Sequence, residues 1–255
     1  MYSKEFWFPP FLPSDDDPLH IFAEKHLSVL PASDWEVLAH YELPDTQRAE
    51  LQALWWEHAT DEYRALSQFS YLLADMLQVG APLSWLGCAS RLIRDETRHV
   101  ALCVKAAAAL GMDPSAQHFS AVRPNTDVTP MARIVRHMLT TVYCSETVAL
   151  ELIGWARERE TIPPLKSVMT AILADESFHS RFGFLWLRDH WNHLDTVSRT
   201  TALDALPVAL WRLSNGLPPI LRPVADSAIT GIILPALDSL GIDAQRAWEQ
   251  RSETR

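Results

Sequence analysis

An all-α fold, with a four-helix bundle as its core and further helices before and after it, is what the sequence predicts, and three observations carry the prediction. Glycine occurs only 8 times in 255 residues, and alternating runs of β-branched residues are scarce, so strands and tight hairpins have little to build on. Ala, Leu, Glu and Arg, all strong helix formers, recur throughout. Four long segments, about 45–78, 82–110, 130–159 and 163–194, repeat apolar residues at threes and fours, the period of a helix that buries one face.

The punctuation along the chain agrees. Asp17 followed by Pro18 suits an N-cap and a first-turn proline, Ser33 with Glu36 fits a capping box, and Thr129-Pro130 opens another helix. The turn "QVGAPL" joins the first two long segments and "ETIPP" the last two, both short enough to force antiparallel neighbours. Between the pairs, "GMDPSAQHFSAVRPNTDVTP" is a polar, proline-containing crossover. After residue 194 the helical pattern continues in pieces broken at Pro207, Pro218, Pro219, Pro223 and Pro235. Hydrophobicity is maintained there without a Ser/Gly linker, so the expectation is one domain over 1–255: a core of about 45–194 and a helical extension over 195–255.

A net charge of −10 leaves no basic excess for phosphates, which argues against nucleic acid and anionic membrane as partners. Cys88, Cys103 and Cys144 form no close pair, so neither a disulfide framework nor a thiolate zinc site is expected. The N-terminal "MYSKEFWFPPFLPSDDDP" lacks the apolar stretch of an export signal, and "AITGIILPAL" falls well short of the roughly 20 apolar residues of a membrane span. The expected location is the cytoplasm. The aromatic arm "FWFPPF" is read as folding over its own bundle, with the clasp of a homodimer as the alternative.

Two short phrases carry the chemistry. "RDETRHV" holds Asp95, Glu96 and His99, and "ADESFHS" repeats the pattern as Asp175, Glu176 and His179. Residues three apart share a helical face, so each Glu-x-x-His aims a carboxylate and an imidazole at one point. Of the 10 histidines only these two follow a glutamate at that spacing. In an antiparallel hairpin, residues equally far from the turn lie at one height, at about 1.5 Å per residue. Glu62 is matched to Glu96 about the first turn in this way, and Glu146 to Glu176 about the second; Glu57 and Glu151 lie roughly five residues, about 7 Å, off level. "EYRAL" from Glu62 echoes "ETVAL" from Glu146, so the halves read as a duplicated hairpin.

Glu62, Glu96, His99, Glu146, Glu176 and His179 are therefore the expected metal ligands. Four carboxylates at one level need counter-charge, and two divalent ions supply it while the imidazoles stay neutral. Carboxylate and imidazole donors without thiolate suit iron or manganese. Asp95 and Asp175, each beside a ligand Glu, are expected to orient an imidazole, reaching the histidine of the opposite hairpin.

This pattern resembles that of the ferritin-like carboxylate-bridged diiron proteins, which place Glu, Glu-x-x-His, Glu and Glu-x-x-His on four helices. The likeness covers about 45–194. "DETRH" is also similar to the Asp-Glu-x-Arg-His of bacterial multicomponent monooxygenases, whereas "DESFH" carries Phe178 in place of the arginine. The resemblance implies a ferritin-like bundle holding two iron ions or a manganese–iron pair. It further implies an O2-activating oxidoreductase that hydroxylates, desaturates, N-oxygenates or cleaves a small organic substrate. No Gly-x-Gly-x-x-Gly or flavin signature is present, so electrons would come from a separate reductase or ferredoxin-like partner. The alternatives are a ferroxidase or iron-handling protein, and a non-catalytic helical protein stabilised by its metals.

Other chemistry-bearing residues have plainer readings. Tyr63, Tyr143 and most tryptophans, including Trp155 and Trp186, are expected to pack, some along a substrate pocket. His190 and His193 fit a solvated helix end, Glu151 an ordinary polar position, and Cys144 the core. The stretch from Leu206 to Gly241 is the candidate roof of a pocket.

Overall fold

The computed structural model describes residues 32–122 and 127–251, whose regular structure is entirely helical, with no strand among them. The Asp17-Pro18 signal and the aromatic arm lie outside the described residues. Helix α1 spans Ala32–Ala39, so it begins one residue before the expected cap at Ser33. Helix α2 spans Asp45–Gln78 and α3 spans Leu83–Ala109, matching the first expected hairpin to within a residue. Both end on a glycine with a left-handed backbone. Gly80 has φ +66° and Gly111 φ +105°; beyond them the Ala81 and Met112 amides reach back to the carbonyls of Met76 and Ala107.

The third expected helix is interrupted. Thr129 caps α4, Pro130–His137, by accepting a hydrogen bond from the Ala132 amide at 3.2 Å. The chain then widens into a π-helical segment, Met138–Ser145, before α5, Glu146–Arg159. Helix α6, Pro163–His190, starts on two prolines that need no intrahelical partner at that position and gives way to a short 3₁₀ turn, Trp191–His193, rather than reaching residue 194.

Prolines in the extension punctuate less than expected. Helix α7, Thr196–Asn215, is capped by Asp195 and runs through Pro207. The proline removes one helical hydrogen bond, while Ala202, Leu206 and Leu210 on the buried side hold the helix together. Pro223 and Pro235 stand in the first turns of α8, Arg222–Ala228, and α9, Leu234–Ser239, which flank a second π segment, Ile229–Ile233. Helix α10, Ala244–Gln250, closes the described chain.

Contacts gather the chain into two compact units. Of the described residues, the first contains 32–70, 91–122 and 161–168, and the second 71–90, 127–160 and 169–251. In the first, the crossover returns onto α2. Phe119 stacks on Trp56 at 4.9 Å and on Tyr63 at 4.6 Å between ring centres, and Ser67 donates to the Val122 carbonyl at 3.1 Å. Tyr63 is thus occupied in packing.

In the second unit, α7 lies along α4 and the adjoining π segment, α8 lies against α5, and α10 against α7. Ala132, Ile134, Val135, Met138 and Leu139 are fully buried there. Arg133 and Asp75 form a buried two-pronged ion pair, with Nε 2.8 Å from Oδ2, and Arg133 also donates to the Val128 carbonyl at 2.6 Å. Trp85, Trp186 and His190 pack ring against ring, leaving only His193 of the terminal histidine pair exposed. No unit boundary falls near residue 194; the C-terminal extension belongs to the second unit.

Candidate metal centre

Each unit contains one copy of the duplicated motif, folded into a compact triad. In the first, Glu62 on α2 meets Glu96 and His99 on α3. His99 Nδ1 lies 3.7 Å from Glu62 Oε2 and 3.7 Å from Glu96 Oε2. In the second, His179 Nδ1 lies 3.6 Å from Glu146 Oε2 and 3.2 Å from Glu176 Oε2. Within each triad one ligand atom per residue falls within 4.8 Å of the others. The same ring nitrogen faces the carboxylates in both copies, as expected of a duplicated hairpin.

These side chains are withdrawn from water. His99 and His179 are fully buried, Glu96, Glu176 and Glu146 nearly so, and Glu62 is the most open at 18% exposed. Distances of 3.6 and 3.7 Å are too long for a hydrogen bond. They suit two donors that each lie about 2.1 Å from a common ion. Two carboxylates and an imidazole, without thiolate, form a donor set that a hard or borderline divalent cation fits.

Local sequence explains why the second triad forms. The π segment carries the chain from Met138 to Ser145, and the wide turn ends at Glu146 itself. π-helical widenings inside α-helices recur at functional sites. Ser145 fills the wide turn by donating to the Thr140 carbonyl at 3.0 Å. Thr147, next to Glu146, contacts the Ser180 hydroxyl at 2.6 Å, next to His179, and so fixes α5 against α6 beside the ligands. Gly183 permits the close approach: a Cβ there would stand 2.8 Å from the Tyr143 nitrogen and from the Val142 carbonyl group. The contribution of Thr147, Ser180 and Gly183 could not be read from the Glu-x-x-His spacing, because it depends on which faces of two distant segments meet.

Asp95 is buried at 1% exposure, and it accepts from Arg91 Nε at 3.1 Å and from Arg94 Nη2 at 2.8 Å. These two arginines are functional candidates the motif reading missed, although "RLIRDE" places one of them a helical turn before the aspartate. Asp175 is buried as well. Cys103, one turn after His99, is fully buried, and burial followed by the charges of Glu62 and Glu96 pushes its thiol well up, so it stays protonated. Tyr143 packs 5.6 Å from Phe184, and burial pushes its phenol up too; burial does the same to the Cys144 thiol. Glu57 is exposed, in keeping with its exclusion by the level argument.

No protein-family model, curated protein or solved structure matches this chain. The ferritin-like resemblance therefore stands on the motif pattern, and the all-helical architecture is consistent with it. No helix among the described residues is long and apolar enough to cross a membrane.

Proposed function

We propose that the protein is a non-haem diiron oxidoreductase that activates O2 to transform a small organic substrate. One observation carries the reading: two buried triads of identical composition, each presenting two glutamates and a histidine Nδ1. In this reading Glu62, Glu96 and His99 hold one ion and Glu146, Glu176 and His179 the other. Iron, when bound, supplies the electrons that reduce dioxygen.

The chain's residues do the positioning. Two carboxylates per ion cancel its charge, so a neutral site can persist away from water. Glu62, as the most open ligand, has room to shift its coordination when a small molecule approaches. Asp95 and Asp175 orient the imidazoles, with Arg91 and Arg94 holding the Asp95 side chain in place. An electron-transfer protein supplies reducing equivalents.

The test is anaerobic titration with Fe(II), followed by O2 with and without candidate substrates. Two irons per chain, magnetically coupled after oxidation, with O2 uptake that rises with a substrate, is the expected result. Oxidation of many iron equivalents per chain would assign a ferroxidase. Metal that raises stability yet stays inert to O2 would assign a structural role, and magnetically isolated irons would remove the pair.

A further inference from the structure

We infer that a pocket in the second unit, next to the Glu146–Glu176–His179 triad, binds a small organic amine as its ammonium form. The inference rests on the proposed function only for what the site then does with that molecule. The pocket has a volume of about 400 Å³ and is walled by Leu150, Leu173 and Val224, with the Trp155 indole at one side. It is a groove open to solvent, with a mixed apolar and acidic lining and room for a small molecule.

Its position follows from helix spacing. Leu150 lies four residues after Glu146 on α5, and Leu173 three residues before Glu176 on α6, so each shares a helical face with a candidate ligand one turn away. Val224 comes from α8, which packs on α5, so the C-terminal extension supplies one wall, as the roof reading expects. Gly154 leaves a gap in the lining: a Cβ added there meets nothing within 4 Å.

Charge selects the ligand. The lining includes Glu151 and Glu158 and no basic residue. Arg159, a cation beside them, is already engaged: its guanidinium lies over the Trp155 ring at 4.2 Å, 3.8 Å from Glu158. Glu151 has no ion-pair partner among the described residues. An anionic substrate would meet uncompensated carboxylate, in a chain whose net charge is already −10. An ammonium on Glu151 with a hydrocarbon body against Leu150, Leu173 and Val224 satisfies both parts of the lining.

The experiment uses the full chain free of metal. Calorimetric binding of hexylamine is compared with that of hexanoate and hexanol. Amine binding at least tenfold tighter than either is expected, lost in Glu151→Gln and in Gly154→Leu, whose side chain fills the open gap. Thermal melting of both variants, expected to match wild type, separates loss of the pocket from loss of the fold. Equal binding of the three probes, or amine binding undiminished in both folded variants, overturns the inference. Iron stoichiometry is measured separately in each variant. Two irons per chain without amine selectivity defeats the pocket and leaves the metal reading standing, and the converse result does the opposite.

Discussion

At the scale of single residues, the feature that constrains this protein most is a carboxylate buried beside an imidazole and a second carboxylate. Glu96 is 1% exposed and shares His99 with a second carboxylate, Glu62. Two carboxylates withdrawn from water side by side are costly without counter-charge, so a bound cation is expected to raise the stability of the fold. Replacing Glu96 by Gln keeps the shape and removes the charge. The metal-free variant is expected to melt at or above the wild-type temperature, and to lose the rise that Fe(II) or Mn(II) gives the wild type. A variant less stable without metal, yet still stabilised by it, would place Glu96 outside the site. A second residue prediction concerns pH. Burial and the neighbouring Arg136 lower the His137 pKa from 6.5 to about 4, against the smaller upward pull of Asp75. Between those values the unfolded chain binds a proton that the folded chain refuses, so stability is full above pH 6.5 and falls as the pH drops toward 4. The loss is at most about 3 kcal/mol, and less to the extent that solvent reaches the ring. His137→Gln should flatten that part of the urea-denaturation profile; an unchanged slope would show that His137 titrates normally.

At the scale of elements, the decisive contact is α6 against the π segment at Gly183. Alanine there would place its Cβ 2.8 Å from backbone atoms of Val142 and Tyr143, where no flexible side chain can yield. The helices must separate, at a cost of about 1–3 kcal/mol. Gly183→Ala is therefore expected to lower the denaturation midpoint and to weaken metal binding by the second triad, since Glu146 follows the π segment directly. An unaffected midpoint would mean that the two elements do not approach so closely. Glu62 and Glu146 were legible because the helical rise is constant, so distances from "QVGAPL" and "ETIPP" convert directly into height. The π segment was not, because "MLTTVYCS" is apolar or small almost throughout, and a widened turn does not disturb a pattern with so little polar contrast. The packing of Phe119 between Trp56 and Tyr63 was hidden for another reason: it joins residues more than fifty positions apart. The arginines that hold Asp95 lay in plain view at helical spacing, yet nothing in the motif distinguishes them from surface charge.

At the scale of the whole molecule, the C-terminal extension proves to be core as well as cover. The sequence places it outside the four-helix core yet within the same domain, because its hydrophobicity continues without a linker. In the structure α7 lies along α4 and the π segment, with Ala202, Leu206 and Leu210 fully buried, and Arg133 and Asp75 are joined within the same unit. Burying a leucine contributes about 1.5–3 kcal/mol, so losing two of them already takes a large share of the 5–15 kcal/mol that holds a typical domain. Removal of α7 would also expose Ile134, Val135 and Leu139, and the π segment would lose the neighbour that holds its wide turn in place. A chain ending at Leu194 is expected to lose its cooperative thermal transition and its proteolytic resistance over residues 130–159. It is also expected to lose the Glu146–Glu176–His179 half of its metal uptake, because that triad is built on the elements α7 supports. A truncated chain that still melts cooperatively and binds the full complement of iron would reduce the extension to a lid over a bundle that folds without it.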